Sequence, residues 1–135
     1  MCLKPTLKIA FCDDDEDELL ILRETLADAG YQDAICACAF SGKELLDVLW
    51  SCDGNLPDVI LLDVTMPAMN GLETLEKIRK VPKYKKIPVL LVTGSPEYAE
   101  LMFKNYPHLP IDGILTKPIT LESLANLLKP YRHCF

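Results

Sequence analysis

The stretch that decides the fold is DVILLDVTMP, residues 58–67. Val59, Ile60, Leu61 and Leu62 form an unbroken apolar run, after which the chain places Asp63 and turns through Thr65, Met66 and Pro67. A short run that is apolar on both faces reads as a strand of a parallel sheet with helices on either side. Asp63 at its end raises a second point. An ionised carboxylate is costly to bury unless it is paired or held against a metal. The stretch therefore predicts a sheet and, from elsewhere in the chain, partners for Asp63.

Similar runs recur at spacings that leave room for a helix between them: Lys8 to Cys12, Ala34 to Phe40, Val89 to Val92, and the shorter Gly113 to Thr116. Helical patterns fill the gaps. Leu19, Leu22, Leu26 and Ala29 form a stripe with Gly30 as its stop, and Asp15 with Glu18 reads as its capping box. Ser41 and Glu44 make a second box ahead of Leu45, Leu46 and Leu49. Leu72, Leu75 and Ile78 mark a third helix, with Glu73–Lys77 and Glu76–Lys80 spaced to support its outer face. Ser95 and Pro96 read as N-cap and first residue of a fourth. Thr120 starts a fifth, with Leu121, Leu124 and Leu128 inward and Pro130 at its end. Pro107 and Pro110, in NYPHLP at 105–110, should cut the fourth helix short.

Five strand–helix units joined by right-handed crossovers make an α/β, doubly wound, five-stranded parallel sheet of flavodoxin-like order 2-1-3-4-5. The 135 residues suit one domain, with a core over about 7–128 and short tails. No apolar run approaches the roughly 18 residues of a membrane span. The start, MCLKPTLK, lacks a secretory segment, so a cytoplasmic location is expected and membrane insertion is not. A net charge of −6 argues against direct nucleic-acid binding. Lys83, Lys85 and Lys86 around Tyr84 read as a solvated loop. The six cysteines include no C-x-x-C pair. Cys12 and one of Cys36 and Cys38 read as small core residues, while Cys2, Cys134, His108 and His133 receive no role.

Ligands of such sheets bind at the carboxyl ends of the strands. Those ends carry Asp13 and Asp14, Asp63, Thr93, and Lys117 just before Pro118. Each alone has a bland reading as a cap or a surface residue. Their joint placement at four strand ends does not. Three neighbouring carboxylates repel one another, and a hard divalent cation relieves the repulsion. Mg²⁺ suits them best, with Mn²⁺ the alternative: it takes oxygen ligands and keeps waters for an incoming phosphate. With an ammonium, a hydroxyl and a carboxylate nucleophile, the set suits phosphoryl transfer to Asp63.

The motifs LKIAFCDDD, DVILLDVTMPAMNG, VLLVTGS and GILTKPI resemble the receiver domain of two-component response regulators, in particular the single-domain chemotaxis type. The resemblance runs from about Leu7 to Leu128. It implies that Asp63 is the phosphoacceptor and that Asp13 and Asp14 hold Mg²⁺, together with Asp63 and the Thr65 carbonyl. Thr93 matches the switch hydroxyl and Lys117 its ammonium partner, with a cis peptide at Lys117–Pro118. Thr65 and Ser95 match positions that tune dephosphorylation. The implied partners are a histidine kinase or histidine phosphotransfer protein and an unidentified downstream protein. The implied output face is the fourth helix, fifth strand and fifth helix. Such a domain is not an enzyme beyond self-phosphorylation and autodephosphorylation. Two features depart from the pattern: Ile114 stands where the family often has Tyr or Phe, and residues 93–117 are slightly stretched. Two alternatives are a receiver-like interaction module independent of phosphate and an aspartate-dependent phosphatase. The second lacks its acid, because Thr65 occupies that position.

Overall fold

The computed structural model describes residues 6–52 and 54–129. Five strands and five helices alternate: β1 (Ile9–Cys12), α1 (Glu16–Asp28), β2 (Ile35–Ala39), α2 (Gly42–Ser51), β3 (Val59–Asp63), α3 (Gly71–Arg79), β4 (Val89–Thr93), α4 (Pro96–Phe103), β5 (Gly113–Thr116) and α5 (Leu121–Leu128). A 3₁₀ turn at Pro82–Tyr84 links α3 to β4. All pairings are parallel and the strand order is β2-β1-β3-β4-β5, as the apolar runs predict.

Alternation along the buried strands divides the core in two. Ala10, Cys12, Ile60, Leu62, Val89 and Leu91 face the side covered by α2, α3 and α4. Ile9, Phe11, Val59, Leu61, Leu90 and Val92 face α1 and α5. Both faces of β1, β3 and β4 are thus removed from water, which is why these strands read as continuous apolar runs. Each large aliphatic side chain so buried contributes on the order of 2 kcal/mol. Leu22 and Leu26 from α1, Leu45 and Leu49 from α2, the three α3 residues, and Leu124 and Leu128 from α5 all reach these cores.

Several local expectations change in the folded chain. Ala29 is exposed and serves as the C-cap of α1, and Gly30 follows with φ +88°, a conformation suited to glycine. Asp15 caps α1 by accepting from Asp17 N at 2.9 Å, so no box forms with Glu18. Glu73 turns back to accept from Asn70 N at 3.2 Å, while Asn70 Oδ1 accepts from Glu73 N at 2.9 Å. That capping box engages Glu73 in place of the Lys77 pairing. The Asn70 N–H at the helix start has no intrahelical partner, a stronger claim on a carboxylate than a solvated lysine. A register shift in β2 leaves Cys36 exposed and Cys38 half-buried, whereas Cys12 is fully buried. Pro130, Cys2, Cys134 and His133 lie outside the described residues. The fourth helix ends at Phe103, ahead of Pro107.

Two tight features hold the β3–α3 connection. Gly71 donates its N–H to Val64 O at 2.9 Å, and a Cβ at Gly71 would run into the Asp63 carbonyl oxygen. Ala68, within the same turn, has φ +66°, a left-handed conformation that costs a side-chain-bearing residue about 1 kcal/mol. At the opposite sheet edge, one Asp112 carboxylate oxygen accepts from Val89 N and from Arg79 Nη2, each at 2.8 Å. Arg79 also donates to Tyr84 O at 3.2 Å, tying α3 to the turn that leads into β4.

Candidate functional site

The carboxyl ends of β1, β3, β4 and β5 meet at one edge of the sheet. Asp63 is the last residue of β3 and Thr93 the last of β4, while Asp13 follows β1 and Lys117 follows β5. Parallel register brings them together: Cys12 pairs with Leu62, Asp63 with Val92, and Thr93 with Thr116. Oxygens of Asp13, Asp14 and Asp63 lie within 4.8 Å of one another. Asp13 and Asp63 are buried, whereas Asp14 is exposed and opens the cluster to solvent. Lys117 Nζ bridges the two buried acids, 2.8 Å from Asp13 Oδ2 and 3.4 Å from Asp63 Oδ1.

The charges in this cleft do not balance. Burial, and then the neighbouring Asp13, push the Asp63 carboxyl up to about 6, although the Lys117 ammonium pulls the other way. Burial works to lower the Lys117 pKa, but its bond to Asp13 and the charge of Asp63 prevail, and the ammonium is held above its ordinary value. Asp13 Oδ1 accepts from Asp15 N at 3.0 Å. Asp13 Oδ2 is buried, and the Lys117 ammonium 2.8 Å away is its partner. Three carboxylates against one ammonium form a hard oxygen donor set that fits Mg²⁺.

The remaining candidates sit around this cluster. Thr93 is buried, and its hydroxyl donates to Ser95 O and accepts from Ser95 N, both at 3.0 Å. It is engaged by the β4–α4 turn and not by Asp63. Ser95 is exposed, and its hydroxyl caps α4 by accepting from Tyr98 N at 3.3 Å. Thr65 is exposed two residues beyond Asp63. The Lys117–Pro118 peptide is cis. Cys12, the last residue of β1, sits in the core directly before Asp13. Its thiol donates to Ser41 O at 3.3 Å and lies 3.7 Å from the Met66 sulfur. Burial and the nearby acids push that thiol up to about 12, which keeps it protonated and unreactive.

A parallel five-stranded sheet carrying an acidic cluster and a bridging lysine at its carboxyl edge defines a class of phosphate-handling α/β domains. Comparison with known proteins narrows the class. The family model for the response regulator receiver domain matches residues 9–129. The chain is 30% identical over 131 residues to an uncharacterised 14.6 kDa protein of Leptolyngbya boryana, covering 93% of this chain and 89% of that one. It is 29% identical to chemotaxis protein CheY1 of Helicobacter pylori, covering 91% and 94%. Among solved structures, the bacteriophytochrome response regulator AtBRR superposes with a TM-score of 0.78 at 26% identity, covering 96% of this chain and 94% of that one. Chemotaxis protein CheY4 of Vibrio cholerae superposes with a TM-score of 0.69 at 31% identity, covering 93% and 98%.

The chain belongs to the response regulator receiver domain family and resembles its single-domain, chemotaxis-type members. It is a phosphoacceptor signalling domain of two-component systems. Members of the family act as signalling domains and not as enzymes of ordinary turnover, and they bind Mg²⁺ through an acidic pocket. Among the described residues, no helix is long and apolar enough to cross a membrane.

Proposed function

We propose that Asp63 accepts a phosphoryl group from a phosphohistidine, and that the addition switches the surface built by α4, β5 and α5. The observation that carries this is the grouping of Asp13, Asp14 and Asp63 within 4.8 Å, with Lys117 bridging the two buried acids. In the transfer, a carboxylate oxygen of Asp63 forms the new bond to phosphorus. The bond from phosphorus to the imidazole nitrogen breaks, and the electron pair leaves with that nitrogen. The attacking form is the carboxylate, and a pKa of about 6 leaves Asp63 mostly ionised above neutral pH.

Asp13, Asp14, Asp63 and the Thr65 carbonyl would hold Mg²⁺, or Mn²⁺ in its place, whose chemistry is to neutralise the phosphoryl oxygens. Lys117 is placed to release part of its hold on Asp63 and meet the incoming charge, while Asp13 keeps it oriented. Thr93 supplies a buried hydroxyl that reaches the phosphoryl group by giving up its two bonds to Ser95. Ser95 and Thr65, both exposed, set how readily water reaches the acyl phosphate. The charge gained, about −1.5 to −2, then biases two arrangements of the β4–α4 region.

Tyr98 and Leu101 on α4 are large, apolar and exposed, which suits a face that docks a downstream protein. The donor is a histidine kinase or a histidine phosphotransfer protein, met in the cytoplasm. The switching unit is a single domain with its core over 7–128. The test is incubation with acetyl phosphate and Mg²⁺ followed by intact mass. One phosphoryl adduct is expected, absent in Asp63→Asn and after chelation. An adduct that persists in Asp63→Asn would refute the assignment.

A further inference from the structure

The basic residues of this acidic chain are gathered at one place. KIRKVPKYKK, residues 77–86, holds six of the 14 lysines and arginines and no acid, although the net charge is −6. The stretch covers the end of α3, the 3₁₀ turn Pro82–Tyr84 and the lead into β4. Arg79 is engaged with Asp112 at 2.8 Å. Lys80, Lys83, Lys85 and Lys86 are exposed.

The turn that carries these lysines is held in one shape, unlike a loose solvated loop. Tyr84 is buried at its centre. Lys85 N donates to Pro82 O at 3.2 Å and Ile87 N to Tyr84 O at 3.1 Å. Arg79 fastens the turn to α3 through Tyr84 O. Lys83 Nζ lies 4.5 Å from the centroid of the Trp50 ring. Trp50, in the last turn of α2, is 70% exposed, more than any other large hydrophobic side chain among the described residues. A cation over the ring orients the indole but leaves most of its apolar surface in water.

The opposite pole carries the opposite sign. The six acids at 13–18 follow β1 at the carboxyl edge of the sheet, whereas the basic turn enters β4 at its amino end. A five-residue strand separates the two edges by about 17 Å. That is roughly two Debye lengths at physiological salt, so an anionic surface that meets the lysines is screened from the acids. An exposed indole beside clustered lysines suits the headgroup region of an anionic bilayer. The indole favours the interface, and the ammonium groups attract anionic lipid. A nucleic acid or an acidic polypeptide would satisfy the lysines and leave the indole without an apolar neighbour.

We propose that the turn at 80–86, with Trp50, docks this chain on an anionic lipid surface. Trp50 enters the headgroup region, and Lys80, Lys83, Lys85 and Lys86 face the lipid phosphates. The chain lies on the membrane and does not cross it. In that pose the Asp63 cleft, at the far edge of the sheet, faces away from the lipid and stays open to a phosphodonor. The proposal does not depend on the phosphoacceptor reading.

Trp50 is the one tryptophan of the chain, so its emission reports the site without a label. The whole chain is titrated at low ionic strength with vesicles of equal parts phosphatidylglycerol and phosphatidylcholine, and with vesicles of phosphatidylcholine alone. The emission should shift to the blue, and the chain should sediment, with the anionic vesicles only. Both effects should fade as salt rises. Lys85→Gln and Lys86→Gln should each weaken partitioning by about 5-fold, the loss expected for one basic residue near such a surface. Lys43→Gln removes the same charge from the start of α2, at the acidic pole, and should leave partitioning unchanged. Trp50→Ala should reduce sedimentation with the anionic vesicles. All four side chains are exposed, and circular dichroism checks that each variant folds. No blue shift with anionic vesicles, equal binding to phosphatidylcholine, or a loss in Lys43→Gln as large as in Lys85→Gln would overturn the proposal. Polyglutamate and duplex DNA form the last arm. If either shifts the Trp50 emission while the vesicles do not, the surface belongs to an acidic polypeptide or a nucleic acid, and the lipid assignment is wrong.

Discussion

Replacing Asp63 with Asn should make the metal-free protein more stable at neutral pH. The folded pKa of Asp63 is about 6 against an ordinary 3.8, because the side chain is buried beside Asp13. A raised carboxyl pKa means that the folded state favours the protonated form. Its contribution is fully present below 3.8 and is lost as pH rises through about 6. Above that window an ionised Asp63 works against folding. Each pKa unit corresponds to about 1.4 kcal/mol, so the shift sets an upper bound of about 3 kcal/mol. The cleft is open to water on the Asp14 side, and solvent screening reduces this to about 1–2 kcal/mol. Asn has the same shape and no charge. Urea denaturation in EDTA should therefore find Asp63→Asn more stable by about 1–2 kcal/mol at pH 7.5, with most of the advantage gone by pH 4.5. Adding Mg²⁺ should narrow the gap, because the wild type binds the ion more tightly and gains stability by mass action. A variant that is less stable at pH 7.5, or an advantage that does not shrink with pH, would refute the reasoning.

Other substitutions probe the scaffold around the site. Gly71→Ala forces a Cβ into the Asp63 backbone, and thermal melting should show a loss of at least about 2 kcal/mol together with weaker Mg²⁺ binding. Ala68→Gly relieves the left-handed strain at φ +66° and should raise the urea midpoint by the equivalent of about 0.5–1 kcal/mol. Asp112→Ala strips the partner from Arg79 Nη2 and Val89 N, and should cost about 2–3 kcal/mol by denaturant titration. Lys117→Met leaves two buried acids without their bridge, so its metal-free stability should fall more steeply between pH 4.5 and 7.5 than that of the wild type.

The fold was legible where one physical effect dominated. The short unbroken apolar runs at Val59–Leu62 and Val89–Val92 read as strands buried on both faces, and the cap residues Ser41, Ser95 and Thr120 marked helix starts that the structure keeps. The gathering of Asp13, Asp14, Asp63 and Lys117 was legible because parallel strands place all their carboxyl ends on one edge. What could not be read were choices between competing partners. Glu73 had a lysine at helical spacing and an N–H group at the helix start, and the unpaired N–H won. Asp15 chose Asp17 N over a box with Glu18. The hydroxyl of Thr93 turned to Ser95, a choice set by the β4–α4 turn geometry. The register shift in β2 that exposes Cys36 leaves no mark in an apolar run that alternates Cys and Ala.

The central claim is that one aspartyl side chain in the acidic cleft forms an acyl phosphate. Borohydride reduces an acyl phosphate of aspartate to homoserine, which peptide mass mapping locates by residue. Treatment with acetyl phosphate and Mg²⁺ followed by borohydride should leave homoserine at position 63 alone, and at no position when Mg²⁺ is chelated. Homoserine at Asp13 or Asp14, or none under any phosphodonor that labels other receivers, would contradict it.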